Sequence, residues 1–200
     1  MTQINEAPSQ QLVAAAPKLG NPAAVGLAAF GMTTLLLQLH ALGIVGMGPV
    51  LWLGVFYGGA AQVMVGLHEH KNGNNFGYTV FTSFGCFWLS FCGIVVAGKY
   101  GLFPASKTDV GWFLVGWTLY SGIMTIASMR TSKVLFGAFA TLMVGLVALV
   151  AEHFGGGAAL TTLSAVSLLG TVACVWYVMA HIVFADMFGR DVLPVGKPLL

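Results

Sequence analysis

The sequence predicts an all-α membrane protein with six transmembrane helices, on three observations. Hydrophobic residues make up 58% of the chain and charged residues only 7%, against roughly 25% charged in an average soluble domain; the mean hydropathy is +0.88. The 200 residues include eight Lys or Arg and six Asp or Glu, too few to cover a water-soluble surface. Finally, every one of those charges falls outside six nearly unbroken apolar runs, each close to the ~20 residues that carry a helix across a bilayer. A membrane β-barrel would alternate with period two over about ten residues, whereas these runs are continuous, so helices are the spanning solution that satisfies the backbone.

The first run, Ala23 to Gly46, starts at Asn21-Pro22-Ala23, a cap residue followed by proline at the first helical position. That is how a helix N-terminus is written, and such an end presents free N–H groups and a partial positive charge able to hold a carboxylate. The second run, Pro49 to Leu67, carries the pair Gly58-Gly59, a candidate thin spot where helices cross or backbone faces a pathway. In the third, Tyr78 to Ala97, the side chains Thr79, Thr82, Ser83, Cys86 and Ser90 share a sector of roughly 100°. The fourth, Gly111 to Met129, repeats the pattern with Thr118, Ser121, Thr125 and Ser128. The fifth, Val134 to Ala151, is interrupted only by small residues such as Gly137 and Gly145. The sixth, Ala159 to Phe184, carries Ser164, Ser167, Thr171, Cys174 and His181 on one stripe. Three stripes leave two readings open, a polar-lined lumen or hydroxyls bonded to their own backbone.

Glycine occurs 27 times, about twice the usual ~7%, and most of those within the runs serve close helix packing, since lipid offers helices little hydrophobic drive to associate. Basic residues orient the chain. With the N-terminus inside, the inner segments hold Lys18, Lys71, Arg130, Lys133, Arg190 and Lys197 and the outer loops only Lys99 and Lys107, so both termini are expected to be cytoplasmic. The expected organisation is a flexible cytoplasmic tail over residues 1–20, a transmembrane domain over 21–186 and a cytoplasmic C-terminal tail over 187–200. The polar N-terminus lacks the basic stretch of a cleavable signal. Cys86, Cys92 and Cys174, an odd number in apolar surroundings, are expected to be free thiols.

Function classes fall away in turn. A net charge of +2 suggests no nucleic-acid partner. His68-Glu69-His70 puts two imidazoles on different helical faces, and His40 and His181 are isolated histidines near span ends, so neither a metal nor a haem is expected. No nucleophile–base or phosphate-binding motif stands in a plausible context, so the chain is expected to be no enzyme and to need no cofactor. No Asp, Glu, Lys or Arg lies mid-membrane, where proton relays usually place them.

With these residues in view, the chain resembles the acetate uptake transporter family of succinate-acetate permeases. The resemblance is carried by Asn21-Pro22-Ala23-Ala24-Val25-Gly26-Leu27 with Phe30-Gly31-Met32-Thr33-Thr34, by Phe56-Tyr57-Gly58-Gly59-Ala60-Ala61-Gln62, by Gly73-Asn74-Asn75-Phe76-Gly77 with the segment Phe81 to Leu89, and by Phe188-Gly189-Arg190 with Leu193-Pro194-Val195-Gly196. It implies a six-helix protomer in a homohexamer of the cell membrane, in contact with lipid, each protomer with its own path for acetate, succinate or similar small carboxylates. It also implies an apolar constriction at Phe30, Phe84 and Leu142, with phenylalanine at 84 where the family commonly has tyrosine. Substrate contacts are expected from Asn21, Gly26, Thr33, Thr34, Tyr57, Gln62, Glu69, Asn75 and Ser83. Two tensions follow. On an ideal helix Phe84 lies roughly 150° from the middle of the Thr79 to Ser90 stripe, so both cannot line one straight lumen. Passage also has two forms, channel-like or proton-coupled, and a reading from another class is a membrane sensor or scaffold without flux.

Overall fold

The computed structural model describes residues 20–200, which contain helices and no strands. Six helices are long and apolar enough to cross a membrane: α1 (Ala23–Ala41), α2 (Met47–Lys71), α3 (Asn75–Lys99), α4 (Lys107–Ser128), α5 (Lys133–His153) and α6 (Ala158–Phe188). The expected six-span, all-α architecture is therefore the observed one. The tail expected over residues 1–20 lies, Gly20 apart, outside the described residues.

Short polar signals set the helix ends. Asn21 Oδ1 accepts from the Ala23 N–H at 3.0 Å, with Pro22 at φ −67° in the first turn. The chain leaves α1 at Ala41, five residues before the expected Gly46, because Gly43 takes φ +76° and the turn is closed by His40 Nδ1 against the Val45 carbonyl at 2.9 Å. Asn74 caps α3 through the Gly77 N–H at 3.1 Å. Ser106 and Asp109 form a reciprocal capping box on α4, and Ser132 caps α5. Short connections oblige neighbouring helices to run antiparallel.

One helix is not uniform: residues Phe56–Ala61 of α2 form a π-helical turn. Five α-helical turns take about 18 residues, yet the buried side chains Val50 and Glu69 stand 19 positions apart. The wide turn absorbs the extra residue, and both ends of α2 keep the same face inward.

Around the molecule the helices form a ring in the order α4, α5, α6, α1, α2, α3. Small residues make its close crossings. A Cβ on Gly31 would strike the Trp176 ring, one on Gly145 would meet Leu168, and one on Gly85 of α3 would lie 2.9 Å from the Gly59 carbonyl of α2. Gly58 and Gly59 thus serve a helix crossing. Between α3 and α4 the ring is closed by aromatic side chains: Phe87 packs against Trp117 at 5.3 Å, and the Tyr120 hydroxyl donates to the Thr79 carbonyl at 2.9 Å.

Beyond Gly189, which ends α6 at φ +65°, the C-terminal segment folds back along the bundle. Tyr177 donates to the Pro194 carbonyl at 3.1 Å, the Val134 N–H to Val195, and the Leu199 N–H to Met129 at 2.8 Å.

Candidate functional site

Three cavities follow one another along the ring's interior. At the end where α1 begins, an open vestibule of about 820 Å³ is bordered by Asn21, Glu69, Asn74, His181 and Asp186. Asn74 and Ile182 also border the next cavity, of about 150 Å³, whose wall is mostly carbon, with Leu27, Val80, Phe139 and Val175 prominent. Further on lies a cavity of about 50 Å³ that includes Thr34, Gln38, Trp88 and Leu168 in its wall. Phe30, Phe84 and Leu142 belong to the walls of both closed cavities and so form the partition between them.

The partition is built by alternate helices of the ring, Phe30 from α1, Phe84 from α3 and Leu142 from α5. All three side chains are buried. Phe30 meets Phe84 edge-on, with ring centroids 5.4 Å apart. Phe84 is backed by Trp117 at 6.0 Å and by Tyr120 at 5.7 Å, and the Tyr120–Thr79 bond holds that backing in place. No polar atom of these three side chains is available to an ion.

Polar groups occur on both sides instead. Glu69 Oε1 at the vestibule, Gln62 Oε1 beside the second cavity, and Thr34 Oγ1 and Trp88 Nε1 beside the third are buried without a hydrogen-bond partner among the described residues. Each such burial costs about 1–3 kcal/mol; these four border cavities that a polar solute or water can enter, whereas the likewise unpartnered hydroxyls of Thr82, Ser121 and Ser164 border none of the three. Glu69 is 3% exposed; its Oε2 accepts from Asn74 Nδ2 at 2.7 Å.

The expected contact residues divide into two groups. Phe30, Phe84, Leu142, Thr34 and Gln62 border the closed cavities, and Asn21 and Glu69 border the vestibule. Gly26, Thr33, Tyr57, Asn75 and Ser83 border none of the three. Gly26 makes room for the Phe81 ring. Thr33 is fully buried and donates to the Ala29 carbonyl at 2.9 Å. Tyr57 is half-buried in the π-helical turn, Asn75 is exposed, and Ser83 lies against the Tyr120 hydroxyl. Asn74, Gln38 and Trp88 border cavities and are not among the expected contacts, and Thr171 of the sixth-span stripe borders the second cavity. Asn74 and Trp88 stand inside the segments that carry the resemblance, so their neighbourhood was visible while their orientation was not.

Most of the stripe hydroxyls follow the packing reading, Thr171 at the second cavity being the exception. Thr118 donates to Leu114, Thr125 to Ser121 and Ser128 to Thr125, while Thr171 pairs with Thr141 at 2.9 Å. In α3, Cys86 and Ser90 are exposed and Thr82 is pressed against Gly66. Phe84 therefore faces inward and the stripe faces away, with α3 continuous through Gly85, which removes the angular tension. His181 Nδ1 bonds the Leu193 carbonyl at 2.7 Å and His68 Nδ1 the Met64 carbonyl. Among the described residues no three His, Cys, Asp or Glu are grouped as metal ligands.

A helical ring around serial cavities divided by a hydrocarbon partition defines a multi-pass membrane protein built for the passage of small solutes. The chain belongs to the GPR1/FUN34/yaaH family, whose sequence model matches residues 5–189. It is 38% identical over 183 residues to the succinate-acetate/proton symporter SatP of Escherichia coli K12, covering 90% of this chain and 97% of that protein. It is 32% identical over 170 residues to the ammonia transport outward protein 2 of Saccharomyces cerevisiae, covering 80% of this chain and 60% of that protein. Among solved structures, that of the bacterial acetate channel SatP superposes with a TM-score of 0.86 at 39% identity, over 90% of this chain and 100% of that one.

Proposed function

We propose that this protein carries acetate, succinate and similar small carboxylates across the cell membrane through the ring of each protomer. The observation that supports this most directly is the partition of Phe30, Phe84 and Leu142 between two small cavities, each with unpartnered polar groups in its wall. Stripping a carboxylate of water costs several kcal/mol per ion, and among the described residues no fixed cation borders the closed cavities. The carbon partition therefore favours solutes small enough to cross in one step, as the protonated acid or with water still attached. Thr34, Trp88 and Gln62 offer weak stations on either side, and weak serial sites suit rapid passage.

The resemblance supports a homohexamer. Trp112, Leu119, Ile123 and Ile126 of α4 are each more than 60% exposed, an apolar face fitted to lipid or to a second copy. The distribution of basic residues favours cytoplasmic termini, which would place the Glu69 vestibule inside the cell.

The test is uptake of radiolabelled acetate into liposomes holding the purified protein, with succinate, lactate and formate as competitors. Uptake above empty liposomes that succinate competes away is expected; no uptake would leave a sensor or scaffold. Phe30→Ala is expected to admit lactate more readily relative to acetate, by about tenfold for ~1.4 kcal/mol of barrier removed. Unaltered rate and size selectivity would remove Phe30 from the gate.

A further inference from the structure

Glu69 occupies the place that a substrate carboxylate would occupy. It stands at the buried edge of the vestibule, 97% of its surface removed from solvent. Asn74 Nδ2 donates to one of its oxygens at 2.7 Å, and the Ala23 N–H, at the start of α1, faces the same carboxyl group. The opening turn of a helix attracts anions, and here an internal anion sits against it. The other oxygen, Oε1, meets no donor among the described residues. An ionised Glu69 would repel an arriving carboxylate and retain the Asn74 donor for itself. A protonated Glu69 releases that charge and turns one of its carboxyl oxygens into an O–H donor toward the vestibule.

We propose that Glu69 is the proton-binding group of this protein, and that a carboxylate enters the α1 end of the pathway only as Glu69 takes up a proton from the vestibule water. Binding of substrate and proton are then one linked equilibrium, and the proton resides on the protein rather than on the substrate at the moment of entry. This rests on the transport reading above and deepens it. The titratable groups facing Glu69 across the vestibule are His181 and Asp186 of α6; on its own helix stand His68, His70, whose ring packs on Tyr78, and Lys71. His181 is the competing candidate, because it borders the same vestibule with its Nδ1 bonded to the Leu193 carbonyl.

The experiment is acetate binding to the purified full chain in lipid nanodiscs, measured by calorimetry at several pH values above the ordinary carboxylate range, where acetate itself is ionised. Full linkage makes the affinity fall about tenfold per pH unit, with proton uptake of about one per acetate read from buffers of different ionisation enthalpy. Infrared difference spectra with carbon-13 acetate should show a carboxylic-acid C=O band of the protein appearing on binding. Glu69→Gln should abolish the pH dependence, the proton uptake and that band, while His181→Gln should keep all three. The infrared band in the unmutated protein keeps the proposal falsifiable if Glu69→Gln does not assemble. Binding without proton uptake, or linkage that survives Glu69→Gln, overturns the proposal and leaves transport standing; linkage lost in His181→Gln but kept in Glu69→Gln moves the proton to His181. An absence of acetate binding overturns both readings.

Discussion

Gln62 is 1% exposed, with a carbonyl oxygen that finds no donor among the described residues. A purely structural glutamine there would be a net cost of about 1–3 kcal/mol, relieved by an apolar side chain of similar volume. Gln62→Leu is therefore expected to leave the thermal midpoint in detergent unchanged or raised. In the same variant the KM for acetate is expected to rise about tenfold, for the ~1.4 kcal/mol of a hydrogen bond that this oxygen accepts from the protonated acid. A lowered midpoint with KM untouched would make Gln62 a packing residue. The contrast with the hydroxyl stripes is instructive. Thr118 and Thr125 looked equally polar in the sequence, yet each reaches back to a carbonyl of its own helix. A threonine can satisfy itself within four residues; a glutamine with no such partner depends on what the neighbouring helices place beside it.

Helix-scale properties were legible wherever they depended on adjacent residues. The starts of α1, α3 and α4 rest on side chains two or three positions from the N–H they cap, and the apolar runs match the helices to within a turn or so. The π-helical turn was not legible: Phe56-Tyr57-Gly58-Gly59-Ala60-Ala61 is compatible with a regular helix, and the wide turn is chosen by the crossing it makes with α3. A Cβ on Gly85 would approach Val63 at 2.7 Å and the Gly59 carbonyl at 2.9 Å, whereas Gly93, two turns along, has open space. Gly85→Val is expected to cost about 1–3 kcal/mol through overpacking, read as a lowered midpoint in thermal unfolding. Gly93→Ala is expected to be neutral or stabilising by up to about 1 kcal/mol. Equal tolerance at the two sites would show that the α2–α3 crossing is not tightly packed.

At the scale of the whole molecule, the C-terminal segment ties together helices distant in sequence. Its bonds reach Met129, Val134, Tyr177 and His181, so it bridges the α4–α5 turn and the end of α6. Truncation after Val192 removes those partners, and the ordering entropy it returns offsets part of the loss. A net destabilisation of about 1–3 kcal/mol is expected from five hydrogen bonds of modest individual worth. Hydrogen exchange at the Val134 amide checks it, since that N–H loses its acceptor on Val195; unaltered protection would mean the segment only rests on the bundle. The ring itself is a whole-molecule property. Phe30, Phe84 and Leu142 lie more than fifty residues apart in sequence, and only the closure of six helices makes them one partition.

The sequence by itself determined the solvent, the number of spans and the starts of several helices, because hydropathy and capping act through residues within a few positions of one another. The resemblance added the three partition residues, and the structure places them together. Only the tertiary structure decided which polar side chains face the cavities, that Asn74 and Trp88 belong there while Gly26, Thr33 and Ser83 serve packing, and that Glu69 is buried beside Asn74 at the vestibule. The physical reason is that a buried polar group is defined by the donors and acceptors brought to it from other helices, and those distances do not exist until the ring has closed.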